Sequence, residues 1–411
     1  AEGCKSDVSI SSVNARGNLI HLAYERWESF LNSSTTVHTF GVITVDANDP
    51  AQPKVLSDFA ERDDTSSWNA YQNTYPYGYT PNVATTVATG QALVSMEQRW
   101  NSPSSPQEAG FDTRLRIVDL TDPVHPTSHT LDLPRAAISS GLVVAGDEVL
   151  VSHYETGSTG KVRFYLDRVD LRVPSAPVLA NKVNVPGSLL HYDSAHASAL
   201  VLEFGRVVVA KLTHRECSTR FKNYDFDSQP SGKRDARATC TGYKQTLHLV
   251  HVDGELATLD GSYTLGEHEE VTSSGFSDGR AALTIRDGDG YYGPRITGCF
   301  GPCFYYGGDA TPATLLTLGG FDTGTLVSGR LSVAGVPDPW SGWWGTPPVY
   351  ANGTRALVHG VTDAMIVDIG NVAAPTILRT VPLYAVAQSL ASNGSTVLLT
   401  LGMNGVQRID L

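Results

Sequence analysis

The segment at residues 275–279, GFSDG, has the G-x-S-x-G pattern that surrounds the serine nucleophile of many hydrolases. Such a serine needs a turn from a strand into a helix, because that geometry exposes its hydroxyl. Here the motif lies between two runs of alternating apolar and polar residues, and no helical pattern follows it. The sequence therefore predicts a β-hairpin turn at this position rather than a catalytic serine.

Histidines and carboxylates in two other segments could carry acid–base chemistry. His191 and His196 lie in HYDSAH, and Glu267, His268 and Glu269 lie in the run EHEE. The two histidines cannot share a metal ion, because five residues of strand separate them by about 16 Å and the odd spacing directs them to opposite faces. If the protein is an enzyme, His191, Glu267, His268 and Glu269 are the candidate catalytic residues.

The segment DGDG, which contains Asp287 and Asp289, resembles the start of a calcium-binding loop. No glutamate follows at the twelfth position of an EF-hand loop, and no flanking helix is predicted. We interpret the segment as a turn. The sequence requires no cofactor, and calcium at these two aspartates is the only one that it suggests.

Five cysteines divide into two pairs and a single residue. Cys217 and Cys240 enclose a polar, charged segment, and Cys299 and Cys303 enclose the tripeptide FGP. Closing such loops is typical of disulfides in an oxidising compartment, and no second Cys/His pair stands at the spacing of a zinc site. We expect both pairs to be disulfides, and Cys4 to be free or bonded to a further domain of the same polypeptide.

Composition excludes several classes of protein. The 411 residues include 30 Lys and Arg against 42 Asp and Glu, a net charge of −12, which disfavours a nucleic-acid partner. No apolar run approaches the 18 residues of a membrane-spanning helix. The 39 glycines and 22 prolines favour a turn-rich β protein. A start at Ala1 without a signal-peptide pattern is expected of a mature secreted chain or an excised domain.

A hydrophobic run that ends in aspartate, often followed by proline, recurs seven times. Upstream of most runs are two alternating segments joined at a Gly or Asn turn, such as YANGTRALVHG. The smallest spacing between successive aspartates is 42 residues, the length of a four-stranded propeller blade. The aligned aspartates are Asp46, Asp119, Asp170, Asp253, Asp322, Asp368 and Asp410.

These repeats predict an all-β, seven-bladed β-propeller of four-stranded blades that spans residues 1–411 as a single domain. The last repeat stops at Leu411, immediately after its third strand, so we expect the N-terminal segment SDVSISSV to close the last blade. The repeated aspartate has a structural explanation, since its short side chain can accept hydrogen bonds from backbone N–H groups two residues further on.

The runs at 115–119 (LRIVD) and 365–368 (MIVD), with the Asp-Pro turns at 49–50 and 122–123, resemble the LVIVD-repeat propellers of secreted and surface bacterial proteins. The resemblance extends over essentially the whole chain. It implies the propeller fold and a secreted, periplasmic or cell-surface location. It implies no chemistry, because the motif is short and structural.

Insertions lie between strands B and C of a blade, or between strand D and the next strand A, and both connections project from the same face of a propeller. They contain all six tryptophans and four of the five cysteines. The longest are near residues 58–81, 213–244, 286–313 and 336–348, with others near 26–38 and 98–112.

Aromatic residues in these insertions are candidates for a rigid binding surface, since Tyr and Trp give a large contact area with few rotatable bonds. The alternative is that they form the small hydrophobic cores that keep long loops ordered. The candidate ligand-binding residues are Trp68, Tyr77, Tyr79, Tyr291, Tyr292, Tyr305, Tyr306, Trp340, Trp343 and Trp344.

The sequence thus predicts a secreted or cell-surface propeller that binds an extracellular protein or glycan through an aromatic, disulfide-braced face. Nucleic acid and membrane insertion are not expected. One alternative is an extracellular hydrolase or lyase with its site at the mouth of the central channel. Another is a structural propeller of a larger surface protein, joined through Cys4. The channel-mouth residues would be His191, Glu267, His268 and Glu269, with Arg135 and Tyr384.

Overall fold

The computed structural model is all-β, with strands throughout and one short helix among the residues that it describes. No helix within those residues has the length and hydropathy needed to cross a membrane. The described residues are 4–16, 18–30, 36–49, 51–63, 69–70, 84–100, 111–157, 161–221, 224–226, 237–287, 311–336, 349–360, 362–385, 387, 389–401 and 404–411.

Two compact units divide the chain: unit 1 comprises residues 1–75, 83–194 and 254–256, and unit 2 comprises 76–82, 195–253 and 257–411. The described strands form seven antiparallel sheets that follow one another along the sequence, one for each repeat. The all-β class is therefore confirmed. The seven-bladed ring and the single domain over 1–411 remain predictions.

Unit 1 holds the first three sheets and a further strand, β16 (Ser188–Asp193). Sheet 1 contains β1 (Cys4–Arg16), β2 (Leu19–Phe30), β3 (Thr36–Asp46) and β4 (Lys54–Asp63). Sheet 2 contains β5 (Asn69–Ala70), β6 (Thr86–Ala88), β7 (Ala92–Trp100), β8 (Phe111–Asp119) and β9 (Thr127–Asp132). Sheet 3 contains β10 (Ala137–Ile138), β11 (Val143–Ala145), β12 (Glu148–Thr156), β13 (Val162–Asp170), β14 (Val178–Leu179) and β15 (Val183–Val185).

Unit 2 holds the other four sheets and the helix α1 (His214–Arg220). Sheet 4 contains β17 (Ser198–Leu212), β18 (Tyr224–Phe226), β19 (Ala238–Asp253) and β20 (Leu256–Thr264). Sheet 5 contains β21 (Glu269–Ser277), β22 (Arg280–Asp287), β23 (Thr311–Gly319) and β24 (Val327–Val336). Sheet 6 contains β25 (Val349–Asn352), β26 (Arg355–His359), β27 (Asp363–Asp368) and β28 (Thr376–Pro382), and sheet 7 contains β29 (Ser389–Asn393), β30 (Thr396–Thr400) and β31 (Val406–Asp410).

Successive sheets within each unit pack face to face through the apolar residues of the repeated runs. In unit 1, Leu115 and Ile117 of sheet 2 share a buried cluster with Val149 and Val151 of sheet 3. Comparable clusters join sheet 1 to sheet 2, sheet 5 to sheet 6, and sheet 6 to sheet 7. Sheets 2 and 6 are therefore covered on both faces, which explains why their central strands are rich in apolar residues.

The repeated aspartate closes the turn after its strand, as the sequence predicted. Its Oδ1 atom accepts a hydrogen bond from the backbone N–H two residues further on, over 2.8–2.9 Å, in four of the repeats. The N–H of the residue directly after the aspartate bonds to the turn before the second strand, so the two connections are tied together. The four pairs are Asp46 with Asn48, Asp119 with Thr121, Asp170 with Arg172, and Asp368 with Gly370.

Replacing one such aspartate tests this structural role. Asp368→Ala removes the acceptor of the Gly370 N–H and should lower the free energy of unfolding by about 1 kcal/mol. Asp368→Asn keeps a side-chain oxygen and should lose less. Asp253 accepts no such bond among the described residues, so Asp253→Ala is the matched control and should change stability little. Urea unfolding of the three variants measures this, and equal losses at 368 and 253 would contradict the assignment.

The N-terminal strand belongs to the first sheet, so the prediction that SDVSISSV closes the last repeat was wrong. β1 pairs with β2 from Cys4 opposite Phe30 to Arg16 opposite Leu19. In the described residues, sheet 7 has three strands, and β31 pairs only with β30. A short turn joins β1 to β2, and such a local hairpin costs far less loop-closure entropy than pairing with a strand almost 400 residues away.

Three of the predicted B–C insertions are in part extensions of the strands themselves. β2 and β3 stay paired from Leu19 opposite Asp46 to Ser29 opposite Thr36, and β7 and β8 stay paired up to Trp100 opposite Phe111. The largest extension is residues 205–244, hereafter the arm, in which β17 and β19 remain paired as far as Leu212 opposite Ala238.

A disulfide between Cys217 of α1 and Cys240 of β19 closes the arm, as predicted. Both cysteines are fully buried, and with Phe221 they form a small hydrophobic core against Val207 and Val209. Gly242 leaves no room for a Cβ atom because the Phe221 ring lies against it. The arm therefore has a core of its own, separate from the clusters that join the sheets.

Removing the disulfide should loosen the arm. Linking residues 23 apart removes roughly 3 kcal/mol of chain entropy from the unfolded arm in the loop-closure model. Cys217→Ala/Cys240→Ala should therefore admit protease within residues 213–237 well before the sheets are cut. Cys4→Ser is the control. Limited proteolysis read by mass spectrometry checks this, and an equally resistant arm in the double variant would contradict it.

Candidate functional site

Most of the aromatic and cysteine candidates lie outside the described residues. This applies to the ten predicted ligand-binding aromatics, to Cys299 and Cys303, and to Asp289, while Asp287 is described only as the last backbone position of β22. The aromatic binding face, the second disulfide and the calcium site thus remain predictions. The residues concerned are Trp68, Tyr77, Tyr79, Tyr291, Tyr292, Tyr305, Tyr306, Trp340, Trp343 and Trp344.

The G-x-S-x-G segment forms a hairpin turn between β21 and β22, as predicted. Asp278 and Gly279 have φ angles of 47° and 68°, which is the left-handed pair typical of a type I′ turn. Ser277 lies in the strand, and its hydroxyl oxygen accepts a hydrogen bond from the Gly353 N–H over 2.8 Å. The serine therefore contributes to packing between sheets 5 and 6 and has no strand–turn–helix context.

Glu269, at the start of β21, is held by Arg330 of β24. The Arg330 guanidinium donates to both carboxylate oxygens over 2.6 and 2.8 Å, and the Gly266 N–H donates to Oε2 over 2.7 Å. Arg330 also donates to the Tyr263 hydroxyl over 2.6 Å. The hydrogen bonds from Arg330 lower the pKa of Glu269, so its carboxylate stays ionised and is a poor general acid.

Glu267 is engaged in the same way by the arm. Arg220 of α1 donates to its two oxygens over 2.8 and 3.3 Å, and this contact lowers the pKa of Glu267. Both side chains are partly exposed, so the pair contributes little to stability and chiefly fixes the position of α1 above the connection to β21. His268 lies between the two glutamates, and its Nδ1 is buried without a hydrogen-bond partner among the described residues.

His191 lies on β16 in unit 1, apart in sequence from the two glutamates of unit 2. Burial lowers the pKa of its imidazole to about 4, an effect that the nearby Asp193 partly offsets. The ring is therefore neutral at physiological pH. The structure describes His191 and the Glu267–Glu269 segment separately, and a joint site at a channel mouth remains a prediction.

The depressed pKa of His191 predicts a specific pH dependence of stability. Between pH 6.5 and about 4 the unfolded chain protonates this histidine and the folded chain does not, so stability falls as the pH falls through that window. His191→Gln should remove about 2 kcal/mol of the loss between pH 7 and 4.5. Urea unfolding at the two pH values measures the difference, with the exposed His251 replaced in the same way as the control. Identical pH profiles for wild type and His191→Gln would contradict the burial of this ring.

Buried ion pairs in unit 1 were not anticipated from the sequence. Glu97 of β7 accepts from Arg114 over 2.7 Å and from Arg116 over 2.6 Å, and Arg116 also contacts Glu61 of β4. In sheet 3, the Nδ1 atom of His153 bonds to Asp167, and both side chains are almost fully buried.

The signal for these pairs was a charged residue inside an apolar run, Arg116 in LRIVD and Asp167 in YLDRVD. Breaking a buried pair is costly because one charge is left without a partner. We interpret both sets of pairs as contacts that fix strand register.

A shallow cavity of about 470 Å³ lies beside the turn that follows β13. Its charged groups are already paired, since Arg168 donates to both oxygens of Glu148 over 2.8–3.1 Å and Asn181 bonds to Glu255. The groove therefore offers few unpaired polar groups to a ligand. Its lining residues are Glu148, Arg168, Asp170, Val178, Leu179, Ala180, Asn181, Gly254 and Glu255.

Comparisons with known proteins do not assign a family. No protein-family model and no curated protein matches the chain. Among solved structures, a puromycin-hydrolyzing peptidase of Mycobacterium tuberculosis is similar, with a TM-score of 0.41 and 14% identity over 98% of this chain and 51% of that one. The chain thus spans about half the length of the peptidase, and a similarity this low supports no conclusion about function.

Proposed function

We propose that the seven sheets are the blades of one LVIVD-type β-propeller, secreted or exposed at the cell surface, that binds an extracellular protein or glycan. The order of the sheets along the chain and their face-to-face packing within each unit support the propeller. The buried Cys217–Cys240 disulfide fits an extracellular location.

The structure of the arm is the observation that best supports a binding function. This hairpin extends beyond its sheet and carries a helix, a disulfide and an apolar core whose described residues all belong to the arm itself. Rigid projections of this kind present side chains at little entropic cost, because few rotors and little backbone must be ordered on binding. The aromatic insertions, which are predicted to project from the same face of other repeats, would complete the binding face.

The enzyme alternative has weaker support. Each of the two candidate glutamates is neutralised by an arginine and has a lowered pKa, whereas a general acid requires a raised one. His191, if it contributes, would act as a neutral imidazole. A hydrolase or lyase would show release of reducing ends from the polysaccharide that the protein binds, and Glu267→Gln would abolish it.

The test of the binding function is a screen of immobilised polysaccharides and extracellular proteins, repeated with aromatic variants. Trp343→Ala/Trp344→Ala and Tyr305→Ala/Tyr306→Ala should weaken binding roughly 30-fold, since interface anchors contribute 2 kcal/mol or more. The melting temperature should barely change, because these residues lie in insertions that the repeats do not need.

Trp27 provides the control, because it stacks on the buried His38 ring with centroids 4.2 Å apart. Trp27→Ala should lower the melting temperature and leave the affinity of the folded protein unchanged. The binding function is refuted if the paired aromatic variants lose binding only in proportion to lost folded protein, or if neither binding nor stability changes.

A further inference from the structure

The arm has the opposite charge to the rest of the protein. It contains nine Lys and Arg against four Asp and Glu, a net charge of +5, so the remaining residues carry −17 of the total of −12. Outside the arm, Asp and Glu outnumber Lys and Arg, so there are enough carboxylates for every arginine to form an ion pair. Most of the described arginines do form one. Those paired with a carboxylate include Arg99, Arg114, Arg116, Arg168, Arg172, Arg220, Arg237, Arg330 and Arg408.

Three cations of the arm depart from this rule. Arg206 of β17, Lys211 near the end of the same strand and Arg215 at the start of α1 are exposed, and none forms an ion pair with a described residue. Strand alternation places Val207 and Val209 against the disulfide core, so that the opposite face of β17 presents Arg206 to solvent. The charged side of the arm is therefore the side that its own core leaves open.

The backbone at Lys211 is strained in a way that keeps this residue outside the ladder. The register of β17 and β19 shifts between Val209 and Leu212, and Lys211 adopts a φ angle of 65°. A left-handed conformation at a residue other than glycine is unfavourable and persists only where the surroundings impose it. Bulges of this type redirect a side chain out of the regular alternation. Here the bulge lies at Lys211, two residues before Thr213, the N-cap of α1.

We infer that the arm is the subsite of a carboxylated polysaccharide, a chain of uronic acid residues, and this inference rests on the proposed binding function. A protein partner would need a larger apolar or aromatic centre. Among the described residues, the open face of the arm offers Val208 and Ala210 of β17 and the half-buried Tyr243 of β19, which lies opposite Arg206. Duplex nucleic acid carries a charge every 1.7 Å or so and would be repelled by the acidic remainder of the protein. A polymer with a single carboxylate on each sugar has a lower charge density and suits three separated cations.

The arm is also pre-organised for such a ligand. The capping box between Thr213 and Glu216 fixes the start of α1, and the Arg220–Glu267 pair fixes its end. Arg237 donates a hydrogen bond to Glu216 over 3.0 Å. The carboxylate of Glu216 is therefore engaged, and Arg206, Lys211 and Arg215 can contact a ligand. Because the scaffold is already ordered, charge contacts with the polymer need not offset the entropy of folding the arm.

The test compares two triple variants of equal charge. Arg206→Glu/Lys211→Glu/Arg215→Glu alters the arm, and Lys54→Glu/Lys161→Glu/Arg355→Glu alters three exposed lysines and arginines elsewhere. Binding to polygalacturonate and to its fully methyl-esterified form is measured by biolayer interferometry at several salt concentrations. The arm variant should bind polygalacturonate at least about tenfold more weakly than wild type, as expected for three exposed charge contacts, and with a shallower salt dependence. The control variant should stay within about twofold of wild type, the small residual effect of distant screened charges.

Several results would overturn the inference. These are no binding of polygalacturonate, equal binding of the methyl ester, equal losses in both triple variants, or tighter binding of a DNA duplex. Sedimentation of the free protein decides whether the arm instead binds the acidic surface of a second copy, which would show as self-association lost in the arm variant. If the screen with aromatic variants finds a ligand that the arm variant still binds, the proposed function stands and the arm inference fails. If no ligand is found at all, both fail.

Discussion

The hydrogen bond from a backbone N–H to the aspartate at the end of the third strand is the constraint on which the turns of sheets 1, 2, 3 and 6 depend. It sets the tight turn into the fourth strand, and the N–H of the next residue ties that turn to the start of the second strand. These bonds hold the start of the second strand to the end of the third strand, and so they fix the register of the hairpin that the two strands form. A slip of one residue would move every apolar side chain to the wrong face. The apolar residues of the run, such as Leu115 and Ile117, can then fill the space between successive sheets.

These hydrogen bonds fix one end of the sheets that contain them, so the connections at the opposite end, the B–C hairpins, can vary in length. The turns after the aspartates are short, and the cavity beside the turn that follows β13 has its charges paired internally. The B–C hairpins, by contrast, extend by several residues in sheets 1, 2 and 4, and one of them carries a disulfide and a helix. Loops and projections on a rigid frame are where binding residues concentrate, since changes there leave the core untouched. The charges are divided in the same way, because the arm has a net positive charge and the rest of the chain has a net negative charge.

Much of the fold was predictable because it is repeated. The alternating runs, the Asn-Gly and Asp-Gly turns and the terminal aspartates gave seven units, and the structure has seven sheets in that order. The place of β1 was not predictable from the same pattern. An alternating segment such as SDVSISSV carries no information about which sheet edge it joins, and the local hairpin with β2 prevailed.

The site was less predictable, because it depends on pairings between residues that are distant in sequence. The sequence identified Glu267 and Glu269 but could not show that Arg220 and Arg330 engage them. It identified Cys217 and Cys240 from their spacing, since a disulfide is a local constraint. It gave no weight to Arg206, because the open face of a strand extension becomes visible only when the register of β17 and β19 is known.

In the proposed fold, the seven sheets close into a single ring. Spin labels at Ser9 of β1 and Arg408 of β31, in a Cys4→Ser background, test it by a distance measurement, since both positions are exposed. In a closed ring the first and last sheets are neighbours, and stacked sheets lie about 10 Å apart, so the label separation should be below about 30 Å once the label arms are included. A separation near the diameter of a compact chain of this length, about 50 Å, would contradict the ring.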